Sequence, residues 1–574
     1  MSAIPPSLRE RLRSTTGSDL PSPRDGKDFV LYVLRTAFRA ASNPSLEVAL
    51  RMASALGMPL VCVAVVEDGA TPGRSWRPTD RAAAFRLEAL RELQPLFAAR
   101  GTVLLVQVER DGCRAAVTMS LAFKAALVVT DEHFGIEPHA TATRRLAQAA
   151  NNALWLCDCA CTLPSRLLGS AALVGGNAGF LRATQKERTL RLTDAEWDFP
   201  PQAPPPPRGP PAAAAFAWSV DLGVAGALEA VLAAPSRRDA SIGRVRHTRG
   251  GPSAARARWA AYVEAGGLKS YASHRNNPLA AEHRGASRMS AYVNAGMICP
   301  LAMARDALAA KSDKFLSEFV GFRESAHLWC LLHPGGYAIA TVAVPAWARG
   351  MLRHAAGGGG DAASPALADL ESGHTGDPLW DDCQRSLVLA GELHNNVRMA
   401  WGKAIPAWHA ALLGGAGGTA EARLQAALDL LIRLNDRFAL DGGAPPSYGG
   451  LLWCLGWRDR PGPGGCPTSR PTSVMASKIK AGDLERRARQ RSAAQIRFDV
   501  APTPPTARAL EGGVGAKRAR PAEEDPEAGQ ASSGQASASH GGPPSGVAVA
   551  PRGAMWHFLN RQSAAALPPR ERGV

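Results

Sequence analysis

The sequence predicts an α/β domain built on a Rossmann-like parallel sheet, followed by an all-α domain and a disordered C-terminal tail. Three observations carry this prediction. Short apolar runs alternate with helical patterns between residues 28 and 170, and the periodicity between about 254 and 500 is helical throughout. After about residue 501, Pro, Ala, Ser and Gly dominate and no packable periodicity remains.

Five apolar runs predict buried strands of the α/β domain. They are FVLYVLR (29–35), LVCVAVV (60–66), VLLVQVE (103–109), ALVVTD (126–131) and NALWLCD (152–158). Between them, residues 43–57 predict a helix capped by Asn43 with Pro44 in its first position, and residues 80–101 predict a second helix beginning at Asp80. No GxGxxG follows the first strand, so the domain lacks the dinucleotide-binding fingerprint.

The predicted organisation is an α/β domain over 28–170, a Pro-rich linker over 171–253, a helical domain over 254–500 and a tail over 501–574. FPPQAPPPPRGPP at 199–211 excludes a helix or a central strand and predicts a stiff, extended stretch. AKRARP in the tail resembles a short nuclear-import signal, which favours the nucleus and leaves the chloroplast and the cytoplasm open. A protein partner of the tail also stays open.

The charge balance favours a polyanionic partner. A net charge of +16 and a pI near 9.8 indicate nucleic acid first and a membrane surface second, unless the excess lies only in the tails. No apolar stretch reaches the roughly 18 residues that span a bilayer, and the first 28 residues carry no apolar signal core. We therefore expect no membrane partner. Ten cysteines in 574 residues do not form a disulfide scaffold and indicate a reducing compartment.

Three cysteines alternate in LWLCDCACTL. The pattern predicts that Cys157, Cys159 and Cys161 share one face of a strand. They are either metal ligands or buried small apolar residues. Because no second Cys/His cluster accompanies them, burial is favoured and no metal site is predicted.

Two tryptophans, Trp401 and Trp408, lie two helical turns apart in an Ala-rich segment, and Trp380 precedes Trp401 by 21 residues. From the residues alone, core packing is the favoured interpretation, because aromatic residues at this interval usually fill a helix interface.

Five motifs then occur in order. They are YASHRNNP (271–278), SRMSAYVNAGMI (287–298), FLSEFVGFRESAHLWC (315–330), HTGDPLWDDCQRSLVLAGELHNNVRMAWGKAIPAW (374–408) and LNDRFALDGGAPPSYGGLLWCLGWRD (434–459). With VLRTAFRAASNPSLEVAL (33–50), they resemble the photolyase/cryptochrome family, and within it the class II cyclobutane pyrimidine dimer photolyases. The resemblance spans roughly 28–170 and 254–460.

The resemblance implies an FAD held inside the helical domain and leaves open a second, antenna chromophore of unknown identity. Arg398 would pair with Asp441 beside the flavin ring, and Asn435 would face flavin N5. Without the resemblance, Arg398 and Asp441 are charges in apolar helices, which are rarely buried unless paired. The residues expected at the FAD diphosphate are Tyr271, Ser287, Met289 and Ser290, since hydroxyl groups and helix-start amides donate to phosphate.

The resemblance also assigns roles in electron transfer and lesion binding. Trp380, Trp401 and Trp408 match the tryptophans that reduce the excited flavin stepwise in class II enzymes, with Pro406 expected to kink the helix between the last two. Glu318 would contact a flipped-out pyrimidine dimer, although its side chain alone reads as a solvated helix charge. The aromatic residues expected in the lesion pocket are Phe322, one turn from Glu318 on the same helix face, and Trp453.

The leading hypothesis is a monomeric, FAD-dependent enzyme that binds DNA containing pyrimidine dimers and splits the dimers in blue or near-UV light. Two departures from the family pattern favour an alternative. Pro446 and Ser447 replace Asn-Gly, and residues 460–480 keep basic residues but lose an RPIFG-like motif. The alternative is a cryptochrome-like photoreceptor without repair activity. A third possibility is an FAD-binding homologue with neither activity.

Overall fold

The computed structural model describes residues 3–495, apart from 18, 68–76, 110–115, 195–196, 198, 212–215, 350–364, 413–418 and 459–478. The side chains of 116, 407–412, 420 and 493–495 also lie outside the description. The predicted tail over 501–574, with AKRARP, and nearly all of the altered segment 460–480 therefore fall outside the described residues.

A six-stranded sheet forms the core of the N-terminal part. Its strands are β1 (Leu12–Arg13), β2 (Phe29–Leu34), β3 (Leu60–Val66), β4 (Val103–Val108), β5 (Ala125–Asp131) and β6 (Leu154–Cys157). Their order is β1-β6-β5-β2-β3-β4, and every pairing is parallel except that of β1 with β6. The five predicted strands are confirmed. The short antiparallel β1 was not predicted, because two residues carry no alternating pattern.

Helices cover the sheet, as continuous apolar strands require. The Asn43 side chain caps the first long helix by accepting from the Leu46 amide at 3.1 Å, with Pro44 in the first position as predicted. The second predicted helix begins at Asp80 as predicted, is capped by the Thr79 hydroxyl, and ends at Ala98 rather than at residue 101. The helices of this part are Pro6–Arg9, Pro44–Ala55, Asp80–Ala98, Ala116–Lys124 and His139–Ala149.

The three alternating cysteines do not share a strand face, so that prediction is wrong. Strand β6 ends at Cys157 because the Asp158 carboxylate accepts hydrogen bonds from the backbone amides of Ala160, Cys161 and Ser165 and folds the chain into a turn. All three thiols are nevertheless buried, which supports their interpretation as small apolar residues. Within the described residues, no group of His, Cys, Asp or Glu is arranged to hold a metal ion.

The region predicted as a linker contains regular structure. Helices Gly176–Thr193 and Ala227–Ala233 and the 3₁₀ turns Ser165–Leu167 and Ser170–Leu173 lie in or beside it. The proline-rich stretch forms neither helix nor strand, as predicted, and it packs on the sheet part: the Ala203 amide donates to Glu47 at 2.8 Å. Helix Gly176–Thr193 was missed because few of its residues are apolar.

The C-terminal part is helical, as predicted. Its helices are Pro252–Glu264, Gly267–His274, Ser290–Asn294, Pro300–Ala309, Asp313–Leu316, Arg323–Leu332, Ala340–Ala343, Leu367–Ser372, Pro378–Ala390, Asn395–Leu412, Ala420–Phe438, Pro445–Cys454 and Asp483–Gln495, with a 3₁₀ turn at Gly336–Ala338. Residues Ser317–Phe322 form a π-helical turn between two of them. None of the described helices has the length and apolar character that crossing a membrane requires.

The sheet part and the helical part are joined by buried hydrogen bonds. Arg81, from the sheet part, donates to the carbonyl oxygen of Phe438 at 2.6 Å, and Arg39 donates to that of Gly296 at 2.8 Å. Gly296 lies so close to the loop after β2 that a Cβ on it would be 2.0 Å from the Thr36 carbonyl oxygen. This contact holds the helices that carry the site against the carboxyl ends of the strands.

Candidate functional site

A buried ion pair lies between two long helices of the C-terminal part. Arg398, on helix Asn395–Leu412, donates from Nη2 to Asp441 Oδ1 at 2.8 Å, just past the end of helix Ala420–Phe438. Both residues are less than a tenth exposed. The predicted pairing is therefore present, and it explains how two charges can stay inside apolar helices.

Asn435 belongs to the same buried network. Its Nδ2 donates to Ser447 Oγ at 3.0 Å and to Asp436 Oδ1 at 2.9 Å, while Arg398 Nη1 donates to the same Ser447 oxygen at 3.3 Å. Ser447 thus connects the ion pair to the carboxamide. Sequence reasoning treated Ser447 only as a departure from the family pattern, and nothing in its immediate neighbours indicated this bridging position.

Two of the three predicted relay tryptophans are stacked. The ring centroids of Trp380 and Trp401 are 6.1 Å apart at an interplanar angle of 10°, and both residues are fully buried. Trp380 Nε1 donates to the Trp401 carbonyl oxygen, and Trp401 Nε1 donates to Gln384 Oε1, both at 3.0 Å. Trp401 lies one helical turn after Arg398, so the stack leads toward the ion pair.

The third relay residue, Trp408, lies in the same helix, but its side chain is outside the described residues. Helix Asn395–Leu412 continues through Pro406 without a break. The transfer step to Trp408 therefore stays a prediction.

Three of the four residues predicted to hold the diphosphate lie at the start of a short helix, and the fourth, Tyr271, lies on helix Gly267–His274. Ser290 is the first residue of helix Ser290–Asn294, Met289 is buried, and Ser287 is partly buried. Tyr271 packs edge-on against Phe315, with ring centroids 5.1 Å apart, and burial raises the pKa of its phenol.

Arg288, between Ser287 and Met289, has a left-handed backbone with a φ of 57°. Its guanidinium pairs with Glu392 at 2.5 Å and with Glu282, while its Nη2 is buried without a hydrogen-bond partner among the described residues. A buried donor of this kind is expected to meet an acceptor.

A charged network continues from Arg288 to the last described helix. Arg491, on helix Asp483–Gln495, contacts Glu392 at 3.3 Å and Glu282 at 3.1 Å. Burial alone would raise the pKa of Glu392, but Arg288, Arg258 and Arg491 together outweigh it and lower that pKa to about 2. Glu392 is therefore ionised at neutral pH, and it ties the C-terminal helix to the Ser287–Ser290 segment.

Glu318 lies in the π-helical turn and is not a freely solvated charge. Its carboxylate is 2.6 Å from Lys314 Nζ and 3.3 Å from an Arg275 nitrogen, and its side chain is 17% exposed. Single π-helical turns inside helices occur frequently at functional sites. Phe322, in the same turn, is 39% exposed, which leaves its ring available to a ligand. Sequence reasoning missed Lys314 and Arg275, although Lys314 lies one turn before Glu318.

Trp453 lies on helix Pro445–Cys454, two turns after Ser447, and Lys403 Nζ lies 4.9 Å from its ring centroid. Within the described part of the chain, the rings of Trp453 and Phe322 make no contact with each other. The structure therefore joins Arg398 to Asp441 directly and to Asn435 through Ser447. Glu318 and Phe322 share the π-helical turn, whereas Trp453 lies on another helix.

No family model matches the chain. A deoxyribodipyrimidine photo-lyase of Methanothermobacter thermautotrophicus is 27% identical over 468 residues, which cover 79% of this chain and 91% of that relative. Another from Arabidopsis thaliana is 31% identical over 207 residues, or 34% of this chain and 38% of that relative. Over most of its length the chain is similar to proteins of the photolyase/cryptochrome family.

Solved structures of photolyases and cryptochromes share the fold. A bacterial class III photolyase from Agrobacterium tumefaciens superposes with a TM-score of 0.52 at 16% identity, covering 85% of this chain and 92% of that one. A cryptochrome of Synechocystis gives 0.53 at 14% identity, covering 82% and 88%. The predicted fold class, an N-terminal α/β domain followed by a helical domain, is confirmed.

FAD is the cofactor that similarity to the photolyase/cryptochrome family implies, and the polar groups present suit it. The buried, unpartnered Nη2 of Arg288 suits the acidic diphosphate. The buried Asn435 carboxamide and the Arg398–Asp441 pair suit a polar heterocyclic ring in an otherwise apolar core. The residues of this chain therefore fit a flavin dinucleotide.

Proposed function

We propose that the protein is a light-driven DNA photolyase of the class II type that splits cyclobutane pyrimidine dimers. FAD, when bound and reduced, would supply one electron under light and take it back once the dimer has opened. The observation that carries the proposal is Glu318: a carboxylate oriented by two cations, in a π-helical turn beside an exposed aromatic ring.

Each group of residues has a task that follows from its chemistry. Arg398, Asp441 and Asn435 would orient the cofactor ring and exclude water from it. Glu318 would accept a hydrogen bond from a base N–H group at the edge of the dimer and so hold the dimer in position. Phe322 and Trp453 would stack on the flipped bases, since base–aromatic stacking contributes about 1–3 kcal/mol per base.

The stacked indoles would serve the resting enzyme rather than repair itself. Trp401 and Trp380 are close enough for stepwise electron transfer, and their burial keeps water from the path. They would restore the reduced cofactor at the expense of an external donor.

The experiment separates repair from cofactor binding. Glu318→Gln is prepared with FAD, reduced chemically, and illuminated without oxygen in the presence of a dimer-containing oligonucleotide. We expect a lower yield of restored thymines than in wild type, with unchanged FAD content and unchanged photoreduction. Glu229→Gln, at a side chain that is 62% exposed, is the matched control and should repair normally. Equal repair by both variants would contradict the role given to Glu318.

A further inference from the structure

The guanidinium of Arg458 has no partner among the residues that the structure describes. All three of its guanidinium nitrogens are buried, and none makes a hydrogen bond within the described residues. Desolvation lowers the pKa of its guanidinium to about 10. Its guanidinium lies 5.5 Å from the ring centroid of Trp457, a weak interaction for a cation that has left water.

The backbone at Arg458 is also unusual. Its φ of 56° lies in the left-handed region, which a long side chain rarely adopts unless the surrounding structure enforces it. Strained backbone at a non-glycine residue clusters at ligand sites. The side chain and the backbone of Arg458 are therefore both unusual.

Arg458 lies at the edge of the proposed lesion pocket. It follows Trp453 by five residues, just beyond helix Pro445–Cys454. A methyl group on Gly176 would lie 3.8 Å from the Arg458 carbonyl oxygen. The next residue, Asn177, packs against Gly321, so that a Cβ on Gly321 would lie 2.1 Å from Asn177 Oδ1. The start of helix Gly176–Thr193 thus spans from Arg458 to the π-helical turn that carries Glu318 and Phe322.

We propose that Arg458 binds one phosphodiester group of the DNA strand that carries the lesion, an inference that rests on the proposed photolyase function. A planar guanidinium donates two parallel hydrogen bonds to phosphate oxygens, and a phosphodiester supplies the negative charge that this cation lacks. Arg458 is only partly buried as a residue, and its guanidinium makes no hydrogen bond to a described residue. Rotation about its side-chain bonds can therefore turn the guanidinium toward a DNA strand in the pocket.

The test uses FAD-loaded protein in the dark and a duplex with one thymine dimer. Arg458→Asn removes the cation with a residue that tolerates a left-handed backbone. We expect affinity to fall about tenfold at low salt, and the slope of log affinity against log salt to weaken by about one. Arg144→Asn, at a side chain that is 73% exposed on helix His139–Ala149, controls for the loss of one charge. If the two variants bind alike, the inference is wrong.

Replacing single phosphodiester linkages of the DNA with uncharged ones identifies the phosphate that Arg458 contacts. In a series of duplexes, each carrying a single methylphosphonate near the dimer, one position should weaken wild-type binding and leave Arg458→Asn unaffected. A different source of phosphate gives a different pattern. If inorganic phosphate raises the melting temperature of wild type but not of Arg458→Asn, while every linkage acts alike on both proteins, the site binds free phosphate and the DNA assignment is overturned.

Stability separates binding from a structural role. Because the variant removes an unpaired buried cation, Arg458→Asn should melt at the same temperature as wild type or higher. A lower melting temperature together with weaker binding would make Arg458 a structural residue and overturn the inference. If wild type neither prefers nor repairs the dimer-containing duplex, the proposed function itself fails, an outcome distinct from equal behaviour of the two variants.

Discussion

At the scale of single residues, burial decides what each charge of the site contributes. Arg398 and Asp441 are buried as a pair, and their mutual attraction offsets the free-energy cost of removing both charges from water. Glu392 shows the same effect with several cations around one carboxylate. In both cases, removing one partner should destabilise the protein by more than the loss of the contact, because the remaining charge stays buried without a counter-charge.

Asp441→Ala should leave Arg398 buried with only Ser447 as a partner. Removing one member of a buried pair costs about 3–5 kcal/mol, and we expect the purified variant to be largely colourless because the cofactor ring loses its polar neighbour. Absorbance at 450 nm per protein and urea denaturation measure both effects. Asp429→Ala, at an exposed carboxylate on helix Ala420–Phe438, should keep FAD and stability. Full FAD retention in Asp441→Ala would show that the pocket lies elsewhere.

Glu392→Gln should change how stability depends on pH. The pKa of Glu392 falls from an ordinary 4.5 to about 2 on folding, so its contribution is present above pH 4.5 and is lost as pH falls toward 2. We expect the variant to be less stable at pH 7 by on the order of 3 kcal/mol. The difference from wild type should shrink between pH 4.5 and the lowest pH at which both proteins fold. A constant difference in urea denaturation at pH 7, 5 and 3.5 would argue against an ionised Glu392.

At the scale of elements, periodicity predicted most of the fold. Five strands and the capped helix after β2 follow from apolar runs and cap residues that are local in sequence. Helix Gly176–Thr193 and the turn after Cys157 were not predicted, because one has a weak apolar pattern and the other depends on the Asp158 side chain bonding amides further along the chain. The π-helical turn at Ser317–Phe322 likewise leaves no local pattern.

The residues of the candidate site were likewise predictable only in part. The Arg398–Asp441 pair was predictable from the family motifs and from the rule that buried charges are paired. Ser447, Lys314 and Arg275 were not, because their contacts join elements that are distant in sequence or depend on how a turn is wound. The indole stack was predicted in part. The motifs predicted that Trp380 and Trp401 act together, but their parallel ring arrangement depends on how two helices pack.

Trp380→Phe should block photoreduction of FAD by an external donor, because a phenyl ring is much harder to oxidise than an indole. The FAD content should not change. Trp155→Phe is a matched control, since Trp155 is equally buried and also donates to a backbone carbonyl oxygen, but lies in the sheet. The measurement is the rate of loss of 450 nm absorbance under blue light. Equal photoreduction rates in the two variants would indicate that Trp380 only packs in the core and does not transfer electrons.

At the scale of the whole molecule, the helical part is held against the sheet by close backbone contacts. Gly296 has a φ of 65° and touches the loop after β2, whose amides donate to the Asp131 carboxylate and keep it rigid. Neither the backbone at Gly296 nor the loop after β2 can move easily to make room for a side chain. The position of the helices that carry the site therefore depends on the absence of a side chain at residue 296.

Gly296→Ala should destabilise the protein by roughly 2–4 kcal/mol, through left-handed strain and a steric clash with Thr36. Gly226→Ala isolates the strain, because Gly226 has a φ of 77° and open space where a Cβ would lie. We expect the control to lose only about 1 kcal/mol. Urea denaturation measures both. Equal losses would mean that the contact between the two parts tolerates a methyl group.

The most direct test of the proposed function is repair by the wild-type protein. FAD-loaded protein is reduced, mixed without oxygen with an oligonucleotide that contains one thymine dimer, and illuminated with blue or near-UV light. Restored thymines are counted by chromatography against a dark sample and a sample without protein. We expect thymines to appear only with both protein and light, at more than one per protein molecule, because the electron returns after each cycle. If no thymines are restored from single- or double-stranded substrate, the protein is not a photolyase for these dimers.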